Sequence, residues 1–146
     1  MQFYIVDVFA DKKYQGNQLA VFVPDDEITA EEMQQIAAEI HFSETTFIMS
    51  GRQENGGYHV RIFTPDLEIP FAGHPTIGTS FIIHQMLEDG KRASVTLNLE
   101  AGPIPVKIDG QTYTMEQNQP EFGMIADPED AARALGISAE DIDSEY

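Results

Sequence analysis

The segment FAGHPTIGTSF, residues 71–81, places a histidine between a glycine and a proline, with small or apolar residues after them. Pro75 suits the first helical position, where its missing N–H costs nothing, and so predicts a helix that begins beside His74. The free N–H groups and positive dipole end of a helix N-terminus favour a carboxylate. Gly73 allows a ligand close to the backbone, and His74 can hydrogen-bond it. The segment is a candidate anion-binding corner, with a histidine that caps its own helix as the equally open alternative.

Glu44 is the second candidate, in the segment HFSETTF, residues 41–47. Its aromatic and β-branched neighbours would desolvate the carboxylate and favour its protonated form, which suits a general acid/base near neutral pH. The alternative from the residues alone is a glutamate that faces water. The remaining histidines, His41, His59 and His84, lack metal-ligand spacing, so no metal site is predicted. His84 is expected to reach solvent from the end of its helix.

Hydrophobic periodicity and turn signals predict the elements that position these residues. Strands are predicted at 2–9, 19–23, 45–49, 57–63, 94–99, 103–108 and 113–117. Helices are predicted at 30–40, capped by Thr29, and at 128–135, ended by Gly136. Residues 76–87 have no polar face until His84, which predicts a buried helix. Short connections favour an α+β fold, with a curved, mostly antiparallel, barrel-like sheet around a central buried helix and the 30–40 helix outside.

Composition excludes several classes of function. The 146 residues include 25 acidic and 8 basic side chains, for a net charge of −17. This charge argues against nucleic acid and anionic membranes as partners, because both require clusters of lysine and arginine. Cysteine is absent, so disulfides, thiolate metal sites and a cysteine nucleophile are excluded. The sequence shows no membrane-length apolar run and no signal-peptide pattern at its start, and a cytoplasmic protein is expected. It also lacks phosphate-binding and dinucleotide motifs, and no cofactor is predicted.

Four segments together resemble one family. They are DVFADKKYQGNQLAVF (7–22), FSETTFI (42–48), RIFTPDLEIPFAGHPTIGTS (61–80) and MEQNQPEFG (115–123). In this order they are similar to the PhzF family of phenazine-biosynthesis-like isomerases, which have a diaminopimelate-epimerase-like fold. The resemblance covers nearly the whole chain, and the third segment is its most specific part.

The resemblance implies two similar lobes with an active site in the cleft between them. It also implies that Glu44 is the catalytic acid/base and that Gly73 and His74 hold the substrate, with Ser43 and Asn17 expected beside them. The chemistry implied is a cofactor-free proton shift on a small carboxylate-bearing molecule. Related epimerases use two cysteines, one at the position of Ala72, so two-thiol racemisation is excluded here.

Two departures from the family pattern concern the loop at Gln18 and the length of the chain. The family usually has GNP where this chain has GNQ, residues 16–18. Family members are roughly twice as long, and their second lobe carries an aspartate in a DPxTGSA-like motif that ADPEDAA, residues 126–132, does not reproduce. We therefore expect residues 1–119 to form an N-terminal lobe. Residues 120–146, with eight acidic side chains and Arg133 as the single cation, are expected to be a linker and short helix leading toward an absent second lobe.

Three functional hypotheses follow from this length. The chain is the N-terminal half of a PhzF-like isomerase, or a lobe that pairs with another copy or another polypeptide, or a non-catalytic module that binds small anions. A homo-oligomer, or pairing with a second lobe, is expected in the first two cases.

Overall fold

The computed structural model describes residues 1–49, 51, 53, 55–117 and 119–143. Its strands are β1 (Gln2–Val8), β2 (Asn17–Val23), β3 (Thr45–Ile48), β4 (Tyr58–Phe63), β5 (Glu68–Ile69), β6 (Ser94–Leu99), β7 (Gly102–Asp109) and β8 (Thr112–Met115). Its α-helices are α1 (Ala30–Ile40), α2 (Gly73–Ile82) and α3 (Pro128–Leu135). A π-helical turn, Ile83–Leu87, continues α2, and a 3-10 turn, Ala139–Asp141, follows α3.

The strands form one sheet in the order β1-β2-β3-β4-β6-β7-β8, and β5 pairs with β4 outside this path. Two neighbouring pairs, β2–β3 and β4–β6, are parallel, and the others are antiparallel. The sheet curls into a half-barrel, so the α+β fold with a mostly antiparallel, barrel-like sheet is confirmed. Strand β5 was not predicted, because two residues are too few to show a periodicity.

Helix α2 lies in the concave side of the half-barrel, where it packs against β1, β2, β3, β6 and β8. The core between helix and sheet contains Val8, Leu19, Val21, Val60, Ile62, Ile82, Ile83, Leu97 and Ile104. The prediction of a central helix inside a curved sheet is therefore confirmed. The helix brings its N-terminus to the end of the half-barrel where β2 and β3 begin.

The predicted full burial of residues 76–87 is wrong in part. The first half of this segment is buried, but Phe81 is 36% exposed and Met86 is 52% exposed. The half-barrel is open along one side, so a helix inside it does not need to be enclosed all round. Apolar residues on that open side are exposed in the described chain.

Helix α1 covers the outer face of the sheet, as predicted. Thr29 caps it through a hydroxyl that accepts the N–H of Glu32, and the Glu32 carboxylate accepts the N–H of Thr29. Met33 and Ala37 pack on the outer side chains of β2, β3 and β4, in a cluster that contains Ala20, Phe22, Phe47 and Phe63. The helix ends at His41, whose left-handed backbone (φ 59°) directs the chain into β3.

The C-terminal part of the described chain contains α3 at its predicted bounds, with Gly136 as the left-handed C-cap (φ 70°). Between β8 and α3 the described residues, 116–117 and 119–127, have no regular structure, and Phe122, Met124 and Ile125 are almost fully exposed. Residue 118 and residues 144–146, which belong to the predicted lobe and linker respectively, lie outside the described residues. Within the described part, no helix combines the length and apolar character needed to cross a membrane.

Candidate active site

The candidate site lies where three chain segments converge. Strands β2 and β3 are parallel, and their first paired residues are Ala20 and Thr45. Residues 17–18 pair with β1 but lie ahead of the β2–β3 ladder, and residues 43–44 precede β3, so another element can contact both pairs. That element is the first turn of α2, residues 73–76. The fold thus brings together all five residues singled out from the sequence: Asn17, Ser43, Glu44, Gly73 and His74.

Glu44 and His74 form the centre of this group. The Glu44 Oε2 atom lies 3.4 Å from His74 Nδ1, and the two side chains are 18% and 7% exposed. Oε2 is itself inaccessible to solvent and has no hydrogen-bond partner among the described residues. The distance thus places the carboxylate within ion-pair range of the imidazole without a formed hydrogen bond. A carboxylate with an unused, shielded oxygen is well placed to exchange a proton.

Asn17 and Ser43 extend the site toward solvent. The Asn17 side-chain nitrogen lies 3.3 Å from His74 Nδ1, and the Ser43 hydroxyl donates to Asn17 Oδ1 at 3.4 Å. Both side chains are exposed, whereas the imidazole is buried beneath them. On its other side the ring contacts the main chain, since His74 Nε2 lies 3.4 Å from the Gln18 carbonyl oxygen. Sequence reasoning missed Gln18, because a main-chain contact leaves no mark on the residue type.

The N-terminus of α2 provides donors for an anion. Ala72 is the N-cap in an extended conformation, and no side chain caps the helix. The alternative in which His74 caps its own helix is therefore wrong. Gly73 and His74 occupy the first two helical positions, and their N–H groups precede the first possible intrahelical bond. Partially positive, unpaired N–H groups at a helix start attract a carboxylate.

The predicted helix start was two residues late. Pro75 occupies the third helical position and not the first. A proline is acceptable there for the same reason as at the first position, because no carbonyl four residues earlier belongs to the helix. The shift places both Gly73 and His74 inside the helix, so that two N–H groups are presented together.

An ion pair outside the candidate group holds the segment that leads into α2. The Arg61 guanidinium donates to both carboxylate oxygens of Glu68, at 2.7 and 2.6 Å, and joins β4 to β5. The hydrogen bonds to Glu68 raise the pKa of Arg61 above its ordinary value. One residue after β5, the Pro70 carbonyl accepts the N–H of Ala101. Arg61 and Glu68 belong to the long motif at residues 61–80, but the sequence alone gave them no role.

The other histidines lie away from this centre. His84 was expected to reach solvent, but this prediction is wrong: it is 5% exposed, and its Nδ1 atom lies 2.7 Å from the Tyr113 hydroxyl. The His84 ring also packs edge-on against the Tyr113 ring of β8, with 5.9 Å between the ring centroids. His41 and His59 are exposed. Within the described ranges, no group of three or more His, Cys, Asp or Glu side chains is placed where it could hold a metal ion.

Two cavities differ in their relation to the site. A cavity of about 310 Å³ adjoins it and is lined by Asn17, Ser43 and residues of the turn and helix end beside them, including Tyr14 and His41. A cavity of about 600 Å³ lies between α1 and the chain start, and none of the five candidate residues lines it. The smaller cavity is the one next to the site, because two of the five candidate residues, Asn17 and Ser43, line it.

Comparisons with known proteins identify the family of the chain. Residues 6–145 match the family model described as phenazine biosynthesis-like protein. An uncharacterized isomerase of Pasteurella multocida is 47% identical over 143 residues, which are 96% of this chain and 48% of that protein. The trans-2,3-dihydro-3-hydroxyanthranilate isomerase of Pseudomonas aeruginosa is 33% identical over 93% of this chain and 49% of its own length.

A solved structure from Pseudomonas aeruginosa, named a predicted epimerase, superposes with a TM-score of 0.80 and 31% identity over 97% of this chain and 52% of its own. The chain thus shares its α+β fold with proteins named isomerases and epimerases. The chain belongs to the phenazine biosynthesis-like family, PhzC-PhzF, and the resemblance found in the sequence is confirmed. The chain spans about half the length of the curated relatives it matches.

Proposed function

We propose that this chain is the N-terminal half of a PhzF-like, cofactor-independent isomerase that shifts a proton on a small carboxylate-bearing substrate. The observation that carries the proposal is the Glu44–His74 pair, 3.4 Å apart at the uncapped N-terminus of α2. A proton-transfer group and an anion-binding group are thereby within reach of one small molecule. The relatives named isomerases support the reaction class.

The substrate carboxylate is proposed to bind at Gly73 and His74. The net charge of −17 provides no long-range attraction for an anion, so binding must depend on local donors. The first two N–H groups of α2 are such donors, and they coincide with the positive end of the helix dipole. Asn17 and Ser43, which are exposed above the imidazole, would contact the rest of the substrate.

Glu44 is proposed as the acid/base. As a carboxylate it removes a proton from one substrate carbon, and the electron pair of the broken C–H bond passes into the conjugated system of the substrate. The resulting carboxylic acid then returns the proton to a different carbon, so atoms and charge balance without an oxidant. The limited exposure of Glu44, 18%, keeps water away from the shielded oxygen during this exchange.

The chain is proposed to contribute one wall of a two-walled cleft. Residues 1–119 would form the lobe, and the segment from residue 120 onward would lead to a second lobe. The relatives are about twice as long, which supports this division. The uncapped N-terminus of α2 favours a second candidate, a non-catalytic lobe that binds a small anion.

A fusion protein tests the proposed function. The chain would replace the first half of the Pseudomonas aeruginosa trans-2,3-dihydro-3-hydroxyanthranilate isomerase, and proton NMR in D₂O would follow that enzyme's own substrate. We expect isomerisation by the fusion and none by the second half alone. A folded fusion that binds the substrate without turnover would favour the anion-binding candidate, and a folded fusion that does not bind it would contradict both.

A further inference from the structure

We propose that Asn17 and the main-chain carbonyl of Gln18 are positioning groups that hold His74 in a single tautomer, with the Nδ1 lone pair directed at Glu44. The inference rests on the proposed function for the role of Glu44, but its geometric basis is independent of turnover. Asn17 would thus orient the His74 ring, in addition to the substrate contact expected for it.

The Nε2 side of the ring determines the tautomer. Nε2 lies 3.4 Å from the Gln18 carbonyl oxygen, which can only accept a hydrogen bond. His74 is 8% exposed, so the imidazole has little access to water as an alternative partner. A neutral ring in this position therefore carries its proton on Nε2. The Gln18 carbonyl lies two residues before the first β2–β3 pair, at the end of β2 that the His74 ring contacts.

The Nδ1 side agrees with this assignment. The Asn17 amide nitrogen, a donor, lies 3.3 Å from Nδ1. The amide oxygen of Asn17 accepts the Ser43 hydroxyl, which orients the nitrogen toward the ring. The opposite orientation of the amide would place an oxygen against an unprotonated Nδ1, and two acceptors repel. By the same rule, an unprotonated Nδ1 requires a protonated Glu44, whose Oε2 lies 3.4 Å away. The carbonyl of Gln18 and the amide of Asn17 thus specify the same tautomer from opposite sides.

The consequence for Glu44 is a defined path for one proton. Glu44 Oε2 lies 3.4 Å from the same Nδ1 atom and has no hydrogen-bond partner among the described residues. When the carboxyl is protonated, its O–H can donate to the Nδ1 lone pair in place of the Asn17 amide. Transfer breaks the O–H bond and forms an N–H bond, which leaves a carboxylate beside an imidazolium. In the other tautomer Nδ1 would already hold a proton, and this path would be closed.

Nitrogen NMR of the uniformly ¹⁵N-labelled chain tests the proposal. Two-bond ¹H–¹⁵N correlations of the His74 ring distinguish the tautomers, and they would be recorded over a pH series on the Glu44→Gln variant, whose amide, unlike a carboxylate, can donate to Nδ1. For the neutral ring we expect a protonated Nε2 and an unprotonated, hydrogen-bonded Nδ1. A protonated Nδ1 in the neutral ring of this variant would overturn the proposal.

Two variants of Asn17 test its contribution. Asn17→Asp replaces the donor by an acceptor and should shift the ring toward protonation at Nδ1. Asn17→Ala removes the donor, and should move the Nδ1 resonance toward that of a free imine nitrogen while Nε2 stays protonated. Gln15→Glu is the matched control, because it adds the same charge two residues away on an exposed side chain. Nδ1 resonances unchanged in both Asn17 variants would overturn the role of Asn17.

The spectra separate this inference from the proposed function. They report the protonation of one ring and do not require a second lobe or a substrate. An inactive fusion protein would count against the isomerase, whereas the wrong tautomer in an active fusion would count against the positioning groups alone.

Discussion

At the scale of residues, the site depends on contacts between residues that are far apart in the sequence. Glu44 and His74 are 30 positions apart, and Asn17 is 57 positions from His74. Their residue types and flanking patterns identified them as candidates, but a single sequence contains no pattern that predicts the contact between them. The resemblance to the PhzF family implied that these residues share one site. The structure places the Glu44 carboxylate and the Asn17 amide 3.4 and 3.3 Å from the same atom, His74 Nδ1.

Gly78 gives a prediction, at the scale of one residue, about the packing of α2 against the sheet. A Cβ atom added there would lie 2.7 Å from side-chain carbons of both Leu19 and Val8, which are buried. Gly78→Ala should therefore destabilise the chain by about 1–3 kcal/mol, as expected for an overpacked core. Urea unfolding followed by circular dichroism measures this change. Gly123→Ala is the control, since nothing lies within 4 Å of its added Cβ; equal stabilities of the two variants would contradict the packing described for α2.

At the scale of elements, the sequence predicted helices better when their ends carried chemical signals. Thr29 marked the start of α1 and Gly136 marked the end of α3, and both helices were predicted at their observed bounds. The start of α2 has no capping side chain, and Pro75 was compatible with more than one helical position. The sequence therefore identified the helix but could not specify its first residue.

The burial of α2 and of His84 differs from the prediction because it depends on tertiary structure. An apolar segment indicates that a helix avoids water, but it does not say how far a sheet extends around it. The open side of the half-barrel, where Phe81 and Met86 are exposed, depends on the number of strands and on their curvature. Likewise, the partner of His84 is Tyr113 on β8, 29 positions away. Tertiary contacts of this kind cannot be derived from local periodicity.

The capping box of α1 gives an element-scale prediction that depends on pH. Hydrogen bonds from the Thr29 main-chain N–H and hydroxyl lower the pKa of Glu32 below its ordinary value of 4.5. A carboxyl with a lower pKa in the folded state adds stability above its unfolded pKa and loses that stability as the pH falls through its folded pKa. Glu32→Gln should thus lower the Tm at neutral pH, and the difference from the unmodified chain should vanish in acid.

Thermal unfolding between pH 2 and pH 7, monitored by circular dichroism, tests this pH dependence. Glu31→Gln is the matched control, because Glu31 lies in the same turn and is exposed but does not belong to the capping box. A Tm difference for Glu32→Gln that persists unchanged in acid would show that the carboxylate does not stabilise the helix.

At the scale of the whole molecule, the described chain has an apolar segment without a covering partner in the structure. Phe122, Met124 and Ile125 are 93%, 100% and 98% exposed, in a stretch without regular structure. Exposed apolar residues in sequence favour association, because burying them removes apolar surface from water. We therefore expect the isolated chain to self-associate and to show little isomerase activity, since one wall of a cleft cannot orient a substrate alone.

Sedimentation velocity across a concentration series measures this association. Replacing Phe122, Met124 and Ile125 together by serine should shift the chain toward the monomer. Leu67→Ser is the control, since Leu67 is 54% exposed as a single residue in a different loop. A monomeric unmodified chain at every concentration, or a monomeric chain with efficient turnover, would contradict the half-enzyme account.

The central claim is that Glu44 moves the proton, and Glu44→Gln in the fusion protein tests it most directly. Glutamine keeps the shape of the side chain but cannot exchange the proton, so kcat should fall by about 10²–10⁴-fold, the usual contribution of a general acid/base. Glu39→Gln, an exposed position on α1 with the same change of charge, should leave kcat unchanged. Proton NMR in D₂O would measure both isomerisation and deuterium uptake. If Glu44→Gln isomerises the substrate at the rate of Glu39→Gln, Glu44 is not the acid/base and the account of the site is wrong.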